Sequence, residues 1–279
     1  MLVFNAELQN SKSKTDMFKH FALSTTTAAN RVEGMFAAQE RCAIKPDGLV
    51  YVESQIGTLV PKRTLSEHLD AFVQHATNCN ISIYNAKIEK SLRLNDLWDD
   101  DPIASGGLNI ISMDSVSEQE FMDLTSLFGP FQNANDFARY QYHYSQSELK
   151  KLKSSYKNNR IFQDEYQKRK RRAVITRDLL VPDFELIWLD LTLKLRVWAL
   201  ERGYDSFVYS NKKESTGEDC YICLLPNQTQ KISSMTFLAD KYLSEVPKHV
   251  FSVFERHIGV GQEVFHALWG GKDPSQFWQ

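Results

Sequence analysis

The chain has 279 residues, of which 42% are hydrophobic and 24% charged, with a formal net charge of −2 and a pI near 6.4. That is an ordinary globular balance with room for one large domain or two small ones, and the near-neutral average points to no particular partner. No apolar run approaches the roughly 18 residues of a membrane span, and Met1 to Lys19 lacks the apolar core of a signal peptide, so a soluble cytoplasmic protein without a membrane partner is expected. In chain order, Met17 to Leu23 reads as a short strand carrying His20. Ser24 to Thr27 offer N-cap candidates for a helix over Thr26 to Gln39, with Ala28, Ala29, Val32, Met35 and Phe36 near helical spacing. Pro46-Asp47-Gly48 is a turn, and Leu49 to Glu53 a strand centred on Tyr51. Thr64 to Ala76 reads as a helix with Leu65, Leu69, Phe72 and Val73 on one face, followed by a strand over Ile81 to Ile88. Leu92 to Trp98 and the acids Asp99, Asp100 and Asp101 read as an exposed connection; adjacent loop acids of this kind usually face water.

Ser117 with Glu120 forms a capping-box pattern for a helix reaching Phe128, which Gly129-Pro130 ends. Asp183 to Arg202 is a strong helix whose expected buried stripe is Leu186, Leu189, Leu193, Val197 and Leu200, with Gly203 as its C-cap. Ser206 to Ser210 and Cys220 to Leu225 read as two strands joined by a polar loop, and Ala239 to Ile258 as further helix interrupted near Pro247. Interspersed strands and helices favour a mixed α+β domain over a doubly wound sheet. There is no Gly-x-Gly-x-x-Gly after a strand and no P-loop. The four cysteines, Cys42, Cys79, Cys220 and Cys223, do not resemble a disulfide framework. Cys220 and Cys223 lie in an apolar strand with no second Cys/His pair nearby, so they read as buried thiols and no metal is expected.

Two segments carry chemistry. Between residues 148 and 177 stand eleven Lys/Arg against three acids, including the run Lys168, Arg169, Lys170, Arg171 and Arg172, with Tyr156, Phe162 and Tyr166 interleaved. Cations beside rings suit nucleic acid; the same surface would also suit solvent or an acidic partner protein. The second segment runs from Gly203 to Gln228, where Asn211, Glu214, Gly217, Glu218 and Asp219 occupy the loop between two strands. Acids at such a lip can face a ligand while the strands hold them still.

That second segment resembles the C-terminal signature of the ADP-ribosyltransferase family, in particular its bacterial and phage toxin-like members. The matching positions are Gly203, Tyr204, Asp205, Tyr209, Asn211, Glu214, Gly217, Pro226 and Gln228. Ser206 stands where the family usually has Gly, and Cys220 where many members place an acid. The resemblance covers residues 184–230 well and 17–95 loosely. It implies a split β-sheet core over about 17–98 and 184–232, a basic helical insertion at 99–183 and a helical C-terminal extension at 233–279, all in one domain.

It also implies chemistry. Loosening the bond between nicotinamide and ribose leaves positive charge on the sugar, which an ionised carboxylate can stabilise. The resemblance implies that NAD⁺ is the substrate and assigns that acid to Glu218 or Glu214. Tyr51, with Ser54 near it, would stack on nicotinamide. His20 would orient the adenine-side ribose, and Ser24 and Asn211 belong to the same expected site. The implied activity is transfer of ADP-ribose to RNA, DNA or protein by a toxin or phage-conflict effector, with an antitoxin or inhibitor protein as a further partner. An NAD⁺ glycohydrolase and a non-catalytic binding relative are the alternatives.

Overall fold

The computed structural model describes residues 1–9, 17–37, 42–45, 47–53, 59–95, 103–128, 134–158, 160–175, 184–254 and 272–279. In chain order its elements are β1 (Leu2–Leu8), β2 (His20–Ala22), α1 (Thr25–Ala37), β3 (Cys42–Ile44), β4 (Leu49–Glu53), β5 (Leu59–Thr64), α2 (Leu65–Thr77), β6 (Cys79–Ala86) and β7 (Ser91–Arg93). They continue with α3 (Glu118–Phe128), α4 (Ala134–Lys157), α5 (Gln163–Ile175), α6 (Phe184–Glu201), β8 (Ser206–Asn211), β9 (Glu218–Cys223), β10 (Thr229–Thr236) and α7 (Ala239–Phe254). The chain is therefore mixed α+β, as expected. It divides into two compact units, one of Met1–Glu89 with Ser210–Gln279 and one of Lys90–Tyr209. Residues 90–95 and 184–209, expected in the core, fall in the second unit. Ser54, Asp99 to Asp101, Gly129-Pro130 and Arg177 lie outside the described residues.

In the first unit the strand order β10-β6-β1-β2-β9 is antiparallel throughout. Two of these strands, β1 and β10, have no counterpart in the sequence reading. β1 carries Asn5 and Glu7 on the same face as Val3, so its alternation is weak when read alone. Its register against β6, from Leu2↔Asn85 to Leu8↔Cys79, places Ser82 and Tyr84 beside Glu7. Burial pushes the Glu7 carboxyl up, but the Ser82 hydroxyl, Lys231 and Lys19 together hold it below the usual carboxylate range. β10 is an edge strand, polar and exposed over most of its length, as exposed edges generally are. A second sheet, in the order β3-β4-β5, contains the expected strand Leu49–Glu53.

Val3, Phe21, Tyr84, Ala86 and Cys223 form one buried cluster of this unit, with Phe21 and Tyr84 edge to face at 5.2 Å. An aromatic cluster joins α1, α2 and α7, where Phe72 meets Phe36 at 5.4 Å, Tyr242 at 5.5 Å and Phe237 at 6.1 Å. Thr64 and Glu67 close a capping box on α2. Pro247 lies inside α7 rather than interrupting it, between the buried residues Tyr242 and Val246 and the C-terminal turn of the helix.

His75 of α2 packs on Phe36 at 5.5 Å. Burial lowers its pKa from the ordinary 6.5, against a raising hydrogen bond to Val32. Below pH 6.5 the unfolded chain binds a proton that the folded chain resists, so this contribution to stability is present above pH 6.5 and lost as the pH falls through the folded value. Urea titrations should show His75→Gln with a flatter stability profile than the parent between neutral pH and pH 5. Neighbouring Cys79, whose Sγ lies 3.7 Å from His75 Nε2, has its thiol pushed up to about 11 by burial and stays protonated.

In the second unit β7 and β8 pair in parallel, Ser91↔Ser206 to Arg93↔Val208. Over residues 92–95 this corrects the reading of an exposed connection, because Leu92 and Leu94 are fully buried, while 96–98 lie outside the described residues. Ser206 is buried with its Oγ 2.7 Å from Ser91 Oγ. The capping box of Ser117 and Glu120 forms as expected, with Glu120 Oε2 accepting from Ser117 N at 2.8 Å. The stripe assigned to α6 is corrected. Leu189, Leu193 and Val197 are exposed, whereas Leu195, Trp198 and Ala199 are buried. That helix is apolar on several sides, so its period allowed more than one stripe. Gly203 takes the expected left-handed C-cap, with φ +75°.

Candidate functional site

The pairing of β2 with β9 builds the site. His20 faces Ile222 and Ala22 faces Cys220, and continuing this register sets Ser24 opposite Glu218. After Ser24 the chain enters α1. The Ser24 hydroxyl caps it, accepting from Thr27 N at 3.1 Å, while Ser24 C=O accepts from Ala28 N. The first turn of α1 has no acid of its own. Glu218 supplies one from β9: its Oε2 accepts from Ser24 Oγ at 2.7 Å and, by a short contact, from Thr27 Oγ1. A negative group is favoured at such an N-terminus. Glu218 Oε1 is buried and meets no hydrogen-bond partner among the described residues.

Glu214 is a different kind of acid. It is buried, with Oε1 paired to Arg31 Nη1 at 3.0 Å and Oε2 accepting from Asn211 Nδ2 by a short hydrogen bond. Asn30 Nδ2 donates to the Glu214 carbonyl at 2.7 Å. Asn211 is equally committed. Its Oδ1 accepts from the backbone N–H of Lys213 at 3.0 Å and of Glu214 at 2.9 Å, and its Nδ2 lies 3.5 Å from Cys220 Sγ. Ser215 Oγ then accepts from Glu218 N at 2.8 Å and fixes the start of β9. Gly217 has φ +106°, and a Cβ there would stand 3.2 Å from Ser210 Oγ, so the turn requires glycine. β9 begins at Glu218, two residues before the expected start, which places Glu218 and Asp219 on the strand rather than in the loop.

Ser24 and Glu218 are thus brought into contact, as are Asn211 and Glu214. His20 is half-buried, and its carbonyl accepts from Asn5 Nδ2 at 2.7 Å. It shares a sheet face with Glu218, displaced by about 13 Å along the strand, four residues at about 3.3 Å each. Tyr51 stands on the second sheet. Its hydroxyl donates to Asp47 Oδ2 at 2.8 Å and its ring carries Lys45 Nζ at 3.8 Å. These interactions do not join it to Glu214 or Glu218. Ser54 lies outside the described residues. Lys168 to Arg172 lie on α5 of the second unit, where Arg169 is tied to Glu148 at 2.7 Å and Glu165 at 3.7 Å. Cys220 and Cys223 are buried thiols that form no disulfide. No group of three or more His, Cys, Asp or Glu able to hold a metal stands together among the described residues.

The sequence reading gave no site role to Thr27, Asn30 or Arg31. They lie three and four residues apart on α1, beside its apolar stripe. The signal present was a polar stripe next to Ala28, Ala29 and Val32, but nothing local tied it to a loop nearly two hundred residues away. No family model, curated protein or solved structure matches this chain.

Proposed function

We propose that the first unit binds NAD⁺ and transfers its ADP-ribose to a macromolecule, with Glu218 as the acid that stabilises the developing ribosyl cation. The observation that carries this reading is the asymmetry of the Glu218 carboxylate. Ser24 and Thr27 grip one oxygen, and the other is buried without a hydrogen-bond partner among the described residues. A buried, unsatisfied acceptor is costly, and such groups persist where a ligand will satisfy them. A ribose 2′-hydroxyl is a suitable donor for the oxygen that Ser24 and Thr27 leave unsatisfied. The second oxygen then faces C1′ of the same sugar, where positive charge grows as nicotinamide leaves.

Glu214 and Asn211 hold the loop, since every polar atom of their side chains is already engaged. His20, further along the same sheet face, suits the second ribose, because two riboses joined through two phosphates have a comparable reach. Tyr51 would stack on nicotinamide after Lys45 leaves its ring. Glu218 does its part without it.

The experiment is incubation of the full chain with adenine-labelled NAD⁺ and, in separate arms, RNA, DNA and protein, followed by nuclease or protease digestion. Transfer predicts nicotinamide release together with label on one macromolecule. Release without label would replace transfer by hydrolysis, and no release in any arm would defeat the enzymatic reading.

A further inference from the structure

We infer that the tip of the α4–α5 hairpin is a docking site for single-stranded nucleic acid. The inference concerns the second unit alone and does not rest on the NAD⁺ reading. The buried residues of this hairpin include Leu152 and Ala173. Near its tip a different chemistry takes over. Phe162, the residue before α5, is 86% exposed, although a Phe ring is among the groups most favourably removed from water. Beside it in the chain, Tyr156 and Tyr166 stack across the two helices with centroids 4.5 Å apart and planes within 16°. Lys170 Nζ lies 5.8 Å from the Tyr166 ring centroid, and the outer tyrosine, Tyr156, is itself exposed. Lys153, Lys157 and Arg160 lead to the tip on α4 and the turn after it, all exposed.

Cations of this density neutralise successive phosphates, and a bare ring gives a base a surface to stack on. Neither half suffices alone. An acidic protein would satisfy the lysines and leave Phe162 in water. Duplex nucleic acid would meet the charges with its bases already stacked on each other. A single strand uses both. The tip also differs from the expected run at Lys168 to Arg172, where Arg169 is already paired with Glu148 and Glu165.

The test is fluorescence anisotropy of labelled oligouridylate and oligothymidylate on the full chain across a salt series. Phe162→Ala removes a ring that packs little against the fold, so circular dichroism should be unchanged while affinity for the strand falls about tenfold at constant salt slope. Lys157→Glu with Arg160→Glu should weaken binding and reduce the slope of log K against log salt by roughly 0.7 for each phosphate no longer neutralised. Binding of either oligomer that both variants weaken supports the site. Parent-like binding by both variants would overturn the inference. So would displacement by polyglutamate with no effect of Phe162→Ala, which would mark the tip as a surface for acidic protein. None of these readouts involves NAD⁺, so a failure here leaves the role of Glu218 standing.

Discussion

Glu218→Gln is expected to reduce nicotinamide release by about 10²–10³-fold, the scale on which one preorganised electrostatic group acts on a transition state. The melting temperature should stay close to that of the parent. The amide keeps an oxygen to accept from Ser24 and Thr27, so the cap of α1 and the start of β9 remain in place. What is lost is the negative charge that the proposal sets against the ribosyl cation. Glu214→Gln should behave in the opposite way. It removes the charge paired to Arg31 and turns a donor toward Asn211 Nδ2, which is already a donor. Breaking that buried arrangement should cost about 1–3 kcal/mol of stability, with activity following the folded fraction. Release kinetics and thermal melts on the two variants separate a reacting acid from a holding one. Full activity in Glu218→Gln would show that the acid has been misplaced.

Phe72→Ala is expected to destabilise the first unit by about 3–5 kcal/mol, the range for deleting a buried aromatic ring. Phe72 is fully buried and sits among Phe36 of α1, Phe237 after β10 and Tyr242 of α7. These neighbours come from distant parts of the chain, so they cannot collapse into the space without moving several elements. Against a total of roughly 5–15 kcal/mol for a typical domain, the loss is large. For a unit of this size it corresponds to a fall of roughly 10 °C in melting temperature. Calorimetry of the variant against the parent measures it, and a shift within a degree or two would mean that the rings do not close the core. Because α1 also presents Thr27 and Arg31 to the two glutamates, loosening this cluster should weaken the candidate site as well.

Elements whose signals are local were legible in the chain. α2 appears within a residue of its expected span, α3 with its expected capping box, β4 has its expected bounds, and Gly203 ends α6 with the positive φ that a glycine C-cap provides. The acids after Tyr209 and the basic helical segment were also legible, because charge and spacing are properties of the chain itself. Elements whose residues are satisfied only by remote partners were not. β1 depends on Ser82, Lys19 and Lys231 to accommodate Glu7, and β10 is a polar edge held by its ladder to β6. α6 is apolar on several sides, so only its neighbours select the buried stripe. The two glutamates show the same limit most sharply. Four residues apart, with equal chemistry on paper, they differ because the fold gives Arg31 and Asn211 to Glu214 but leaves Glu218 gripped on one oxygen alone. Side-chain type is written in the chain. Which polar atoms find partners is decided by packing, since hydrogen bonding acts over a few ångströms between residues that the sequence sets far apart.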